Sequence, residues 1–267
     1  MARTALLNVM VNAVLKTGRG LVRDFGEVEN LQVSLKGPGN FVSAADRKAE
    51  ATLVEELRKA RPGYGFLTEE TGEIPGPDKT HRWIVDPLDG TTNFLHGIPI
   101  FAISLALERE GQLIAGVVFN PILNELYTAE HGSGAFLNDR RLRVATRRSL
   151  ADAAVATGAP NVGGNPDARR RFVAEFADLM GKTAAVRRCG AAAVDLAWVA
   201  SGRFDGFWER GLQPWDTAAG IVLVREAGGR VTGAGGKDDA LMTGDIVAGN
   251  EAIHGLLLAA LATIPSE

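Results

Sequence analysis

The sequence predicts a layered α/β fold, mixed α and β in its first half and alternating in its second. Three observations carry this. Several stretches place apolar residues at helical spacing, as in Leu7, Met10, Val11, Val14 and Leu15. Between Phe101 and Leu142, short apolar runs are broken by Glu110-Gly111, Asn120-Pro121 and His131-Gly132, the pattern of antiparallel strands joined by turns. Past Ala151, strand-like and helix-like segments alternate, which argues for helices layered on a sheet.

Taken in order, the N-terminal helical pattern continues through Leu21, Val22 and Phe25, and gives one buried face. "LQVSLKG" reads as a strand, and Gly37-Pro38-Gly39 as a turn before a second amphipathic helix through Ala45, Ala49, Leu53 and Leu57. Arg61-Pro62-Gly63 ends that helix. A strand "YGFLTEE", a loop from Gly72 to Pro77 and a strand "RWIVD" follow. In the second half we expect a strand after Ala151, a helix from Pro166 to Leu179, a strand near Val186 and an alanine-rich helix from Ala191 to Ala200. Then come a strand in "RFDGFWE" and a helix in "PWDTAAGIVLVREAGG", with Pro214 at its start and Gly-Gly at its stop. A strand "DIVAG" leads into a last helix. No repeat or long linker separates the halves, about 1–145 and 146–267, so a single domain over 1–267 is expected.

Composition excludes several function classes. At 267 residues, 46% hydrophobic and 23% charged, with a formal charge of −3, the chain has no basic footprint for general nucleic-acid binding. The basic run Arg140–Arg148 fits an edge strand with a solvated face. One cysteine, Cys189, precludes an intramolecular disulfide and suits a reducing, cytoplasmic setting. His81, His96, His131 and His254 lack metal-ligand spacing, so surface or supporting roles are expected. No stretch is long and apolar enough to span a membrane, and the N-terminal segment lacks a leader's cleavage pattern.

The chemistry concentrates in "WIVDPLDGTTNF". Ile84 and Val85 belong to a buried strand, so Asp86 and Asp89 are expected to leave the sheet at its end. Two neighbouring carboxylates repel unless a cation neutralises them, and a hard divalent ion prefers oxygen donors such as Asp86, the Leu88 carbonyl and Thr91. Gly90-Thr91-Thr92 would open a helix whose free N–H groups can hold a phosphate oxygen. Taken alone, the same residues read more simply as a β-turn with a helix cap, and it is the other acids that shift the reading. Glu69 and Glu70 end the preceding strand, and Asp216 stands near a helix start in the second half.

Together with "PWDTAAGIVLVREAGG", that stretch resembles the two signatures of the inositol monophosphatase family of Mg2+-dependent, lithium-sensitive phosphatases. "NFVSAAD", "FLTEET", "GVVFNPILNELYTAEHGSGAFLN", "RRCGAAAVDLAWVASGRFDGFWE" and "AGN" fall in family order and spacing. The resemblance implies a layered αβαβα sandwich, a homodimer, and two or three Mg2+ ions for which Mn2+ can substitute. It implies that Glu69 binds the first metal, that Asp86 bridges two, and that the Leu88 carbonyl and Thr91 complete the first site. Asp89 and Asp216 join Asp86 around the second. A metal-activated water positioned by Glu69 and Thr91 attacks the phosphate directly, and Asp46 accepts a hydrogen bond from Thr91.

By the same resemblance, substrate phosphate sits against Gly90 and Thr91, beside Asp89 and Asp216. Glu209 bonds sugar or inositol hydroxyls, and Gly190, Ala191 and Ala192 line the ring pocket. The chain departs from relatives that carry Ser or Thr at Ala191, and Asp at Asn40; Lys36 matches a basic position near the entrance. The expected activity is hydrolysis of inositol monophosphate or a similar small polyol or sugar phosphate. Fructose 1,6-bisphosphate, histidinol phosphate and 3'-phosphoadenosine nucleotides are alternatives on the same fold, and a partner role in the transcription apparatus is an alternative of another class.

Overall fold

The structure, a computed structural model, describes residues 3–27, 33–37, 40–160 and 165–264, and only the backbone of 33–37 and 40–43. The expected turn at Pro38-Gly39 and the side chains of Lys36 and Asn40 therefore lie outside the described residues. The first half runs α1 (Ala5–Phe25), β1 (Val33–Gly37), β2 (Asn40–Ser43), α2 (Ala44–Ala60), β3 (Gly65–Thr68), β4 (Gly72–Ile74), β5 (His81–Asp89) and α3 (Thr91–Leu95). It continues with β6 (Ala102–Arg109), β7 (Gln112–Asn120), β8 (Glu125–Glu130), β9 (Gly134–Leu137) and β10 (Arg140–Arg141). The second half has β11 (Ala154–Thr157), α4 (Pro166–Met180), β12 (Ala185–Arg187), α5 (Ala192–Ala200), β13 (Gly206–Glu209) and α6 (Pro214–Glu226). It ends with β14 (Arg230–Thr232), α7 (Ala240–Thr243), β15 (Ile246–Gly249) and α8 (Glu251–Ala262).

Among the described residues, β10-β9-β8-β7-β6-β5-β3-β4 form an eight-stranded sheet and β12-β11-β13-β15-β14 a five-stranded one. Helices α1 and α2 cover the outer face of the larger sheet, α5 and α6 lie between the sheets, and α4 and α8 cover the smaller sheet. This is the expected αβαβα sandwich. Strand periodicity sets the layering. Trp83 and Val85, Ile103 and Leu105, and Val117 and Phe119 point toward α1 and α2. The opposite face carries smaller residues, Ala102, Ala106 and Gly116, where α6 approaches. A Cβ on Gly116 would stand 2.6 Å from the Ala219 carbonyl oxygen, so only glycine lets α6 sit this close. Helix α6 is buried from Thr217 to Val224, as a helix between two sheets must be.

Four expectations change. Asp86 and Asp89 do not leave the sheet: β5 continues through both, with a bulge between them. The Arg140–Arg148 run is an edge strand only at Arg140 and Arg141; Leu142 turns inward and Arg147 bonds the buried Asp205. The Gly72–Pro77 loop contains β4, paired with β3. His254 is a core residue, 2% exposed, with its Nε2 2.9 Å from the Thr232 hydroxyl. Burial lowers its pKa to about 4. The short β14 and α7 were not expected.

Candidate active site

Strands β3 and β5 run parallel, so their C-terminal ends open at the same edge of the sheet. Glu69 follows β3 there, its N–H donating to the Val85 carbonyl at 3.2 Å. Asp86 pairs with Ser104, yet Asp89 pairs with Ala102, so β5 holds one more residue than β6 over this interval. In a regular strand, residues three apart face opposite sides; the bulge cancels the odd step and puts both aspartates on the side of α5 and α6. Leu88 points the other way, into the core beneath α1 and α2.

The acids are held by backbone donors. Asp86, 1% exposed, accepts from Leu88 N–H at 2.9 Å. Asp89 accepts from Ala193 N–H at 2.7 Å, which satisfies a free donor at the start of α5. Asp216, at the third position of α6, accepts from Gln213 N–H at 2.7 Å in a capping box. Burial, then the charges of Glu69, Asp89 and Asp216, push the Asp86 carboxyl well above the usual carboxylate range. Asp89 is raised likewise, by burial and then by Asp216.

Gly90 has φ 91°, and a Cβ there would lie 3.0 Å from the Ile100 carbonyl and 3.1 Å from Ala191. It turns the chain from β5 into α3 and brings the halves into contact. The Thr91 hydroxyl lies 2.9 Å from Asp46 Oδ1 and 3.1 Å from the Leu88 carbonyl. With its proton directed at these acceptors, the Thr91 oxygen keeps a lone pair for another partner. Asn93 donates to the Ile100 and Cys189 carbonyls at 2.6 and 2.8 Å, pinning the segment before Gly190 against α3.

Glu209 ends β13, and its carboxylate packs on the Gly158 backbone so closely that a Cβ at 158 would stand 1.7 Å from Oε1. Burial, then Asp195, Asp216 and Asp89, raise its pKa well above the usual value. Asp195, on α5 and 1% exposed, is raised to about 7 by burial.

Glu69, Asp86, Leu88, Asp89, Gly90, Thr91, Gly190, Ala191, Ala192, Glu209 and Asp216, drawn from both halves, thus line one cavity of about 410 Å³. Asp46 lies behind Thr91, fully buried on α2. Sequence reasoning missed Asn93, Gly158, Arg188 and Asp195. Asn93 stood inside the quoted motif, and the signal for Asp195 was an acid inside an alanine-rich apolar helix. Among the described residues Arg188 is the one basic side chain lining the cavity.

Among the described residues, no three His, Cys, Asp or Glu side chains converge closely enough to hold an ion as they stand. The carboxylates are instead turned to backbone N–H donors. The donor set still fits a hard dication. Four carboxylates, a carbonyl and a hydroxyl share one cavity, and a cation offsets both the burial and the mutual repulsion that raise Asp86 and Asp89.

The protein-family model described as the inositol monophosphatase family matches residues 3–266. A protein of Mesorhizobium japonicum named inositol-1-monophosphatase is 61% identical over 98% of this chain and 97% of its own. The crystal structure of the Bartonella henselae extragenic suppressor protein suhB superposes with TM-score 0.93 at 58% identity, covering 97% of this chain and 98% of that one. The Nus factor SuhB of Escherichia coli is 42% identical over 95% of this chain and 94% of its own.

Proposed function

The chain belongs to the inositol monophosphatase family, and from that premise we propose that it hydrolyses inositol monophosphate, or a similar small polyol phosphate, by direct attack of water on phosphorus. The observation that carries this reading is the cavity in which Glu69, Asp86, Asp89 and Asp216 gather beside the Thr91–Asp46 pair.

Glu69, Asp86, Asp89, Asp216, the Leu88 carbonyl and the Thr91 hydroxyl would hold two or three Mg2+ ions, with Mn2+ as a substitute. Bound there, the cations supply charge neutralisation at the phosphoryl group and a lowered pKa for water. Glu69 and the Thr91 oxygen orient the attacking water, and the buried Asp46 fixes the rotamer of Thr91 so that this oxygen stays aimed. Gly90 and Thr91 offer backbone N–H groups to the phosphoryl oxygens. Glu209 takes a hydroxyl of the alcohol, and Gly190, Ala191 and Ala192 let the ring approach the backbone closely. A water returns the proton to the leaving alkoxide.

We read the protein as a cytoplasmic homodimer, in keeping with its single cysteine and the family resemblance. Among the described residues no helix is long and apolar enough to cross a membrane. A panel of phosphate monoesters, assayed with Mg2+, with Mn2+, with chelator and with Li+, tests the reading. Inositol monophosphate should be cleaved best, with activity lost to chelator and inhibited by Li+. Preference for fructose 1,6-bisphosphate, histidinol phosphate or 3'-phosphoadenosine nucleotides would reassign the substrate, and activity indifferent to chelator would overturn the metal assignment. The name of the Escherichia coli relative supports a second reading, as a partner of the transcription apparatus. A cellular role that survives Asp86→Asn while phosphate release is abolished would favour it.

A further inference from the structure

We propose that Asp195 is a specificity-determining residue for the alcohol half of the substrate: it accepts a hydrogen bond from a hydroxyl adjacent to the one taken by Glu209, so that the site selects vicinal diols over alkyl or aryl esters. This rests on the phosphomonoesterase reading above and names the substrate feature it discriminates.

Asp195 lines the catalytic cavity with Glu209, yet the ligand set and the water-positioning groups do not involve it. Its Oδ1 is buried and has no hydrogen-bond partner. The Cys189 thiol, a weak donor, stands beside the same carboxyl group. Arg188, on the cavity rim, adds a favourable charge without a hydrogen bond among the described residues. An unmatched buried carboxylate oxygen is costly, and every other buried position of α5 is apolar. The first-turn position on α5 offsets only part of that cost. A site built to hydrogen-bond a hydroxyl explains the unmatched oxygen, because such a site rejects an analogue that leaves its polar groups unpaired.

The placement is fixed from two sides. Asn93 anchors the Cys189 carbonyl and Asp89 anchors the start of α5 through Ala193, so the turn that carries Asp195 cannot drift from the phosphate-facing groups. Glu209 reaches the same cavity from the other sheet, across Gly158. Two carboxyl groups on separate elements therefore line one cavity, close enough for the charge of Asp195 to act on Glu209, and two acceptors placed together serve a pair of hydroxyls and are wasted on an ester that carries none.

The test compares inositol 1-phosphate with p-nitrophenyl phosphate, which has no alcohol hydroxyl, on the Mg2+-loaded wild type, Asp195→Ala and Asp195→Asn. Asp195→Ala should raise KM for inositol 1-phosphate about tenfold while changing kcat/KM for p-nitrophenyl phosphate less than about twofold. Asp195→Asn keeps an acceptor and should stay within about threefold of wild type on both. Equal losses on the two esters, or no loss on either, overturn the proposal. Where Asp195→Ala does not fold, wild type is assayed with singly deoxygenated inositol phosphates: two different hydroxyls must each cost affinity, and a cost at one alone overturns the proposal. Wild type that cleaves the aryl ester but not inositol 1-phosphate sinks the parent reading and this one together. Wild type that cleaves inositol 1-phosphate, with an Asp195→Ala variant that discriminates between the two esters as wild type does, sinks this one alone.

Discussion

Thr91 has one hydroxyl proton and two acceptors within reach, the Asp46 carboxylate and the Leu88 carbonyl. The buried carboxylate is the stronger acceptor and fixes the rotamer. Thr91→Ala should lower kcat about 10²-fold or more with a smaller effect on KM, since positioning groups act on the chemical step. Asp46→Asn should lower kcat less, about tenfold, because an amide oxygen still accepts; equal KM-only effects in a kinetic titration would contradict the positioning role. Gly158 offers a converse test. Its alanine variant would drive Cβ into the Glu209 carboxylate, 1.7 Å away, and the side chain must swing aside. Gly158→Ala should raise KM for polyol phosphates about tenfold while sparing p-nitrophenyl phosphate, as read from paired saturation curves. The residue types of this site were legible because carboxylates beside glycine and threonine in an otherwise apolar run are costly without a use. Asp195 was not, because nothing in its local pattern shows which cavity a helix faces.

Elements were legible in proportion to their own periodicity. Helices α1, α2, α4 and α6 carry helical spacing or end signals in their own residues, so they could be read without partners. Strands β4 and β14 are three residues each and exist through their pairing with β3 and β15, which the local sequence does not state. The bulge in β5 belongs to the same class: an extra residue is defined only against the register of β6. Close packing of helix on sheet is equally non-local. Gly116 meets backbone atoms of Ala219, which cannot move without shifting α6 as a whole. Gly116→Ala should therefore destabilise by about 1–3 kcal/mol, a fall in melting temperature of roughly 2–10 °C for a chain of this size. An unchanged melting temperature by calorimetry would show that α6 has room the structure does not give it.

At the scale of the whole molecule, one buried cluster runs from Ile84 and Val118 of the larger sheet through α5 and α6 to Phe207 and Ile246 of the smaller one. We propose that the halves unfold together as one domain, which a single calorimetric transition would support. The cavity lies where these layers meet, and its acids should make folding depend on pH and, under the proposed metal binding, on the cation as well. Asp86 and Asp89 are raised well above 3.8, and Asp195 is raised to about 7. A carboxyl with a raised folded pKa binds its proton more tightly in the folded chain, so its stabilisation is present at low pH and is lost as pH climbs from 3.8 through the raised value. A dication competes with those protons for Asp86 and Asp89, so its own stabilisation must grow over that window. His254, whose lowered pKa gives the opposite slope below its ordinary value of 6.5, contributes equally with and without cation and cancels in the difference. The rise in melting temperature on adding Mg2+ should thus be larger at about pH 8 than at about pH 5.5, by about 3–6 °C for a tenfold change in affinity. Thermal scans in matched buffers, with Ca2+ and high NaCl as controls for hardness and ionic strength, measure it; a shift independent of pH, or matched by NaCl, would mean that these carboxylates do not take up the ion.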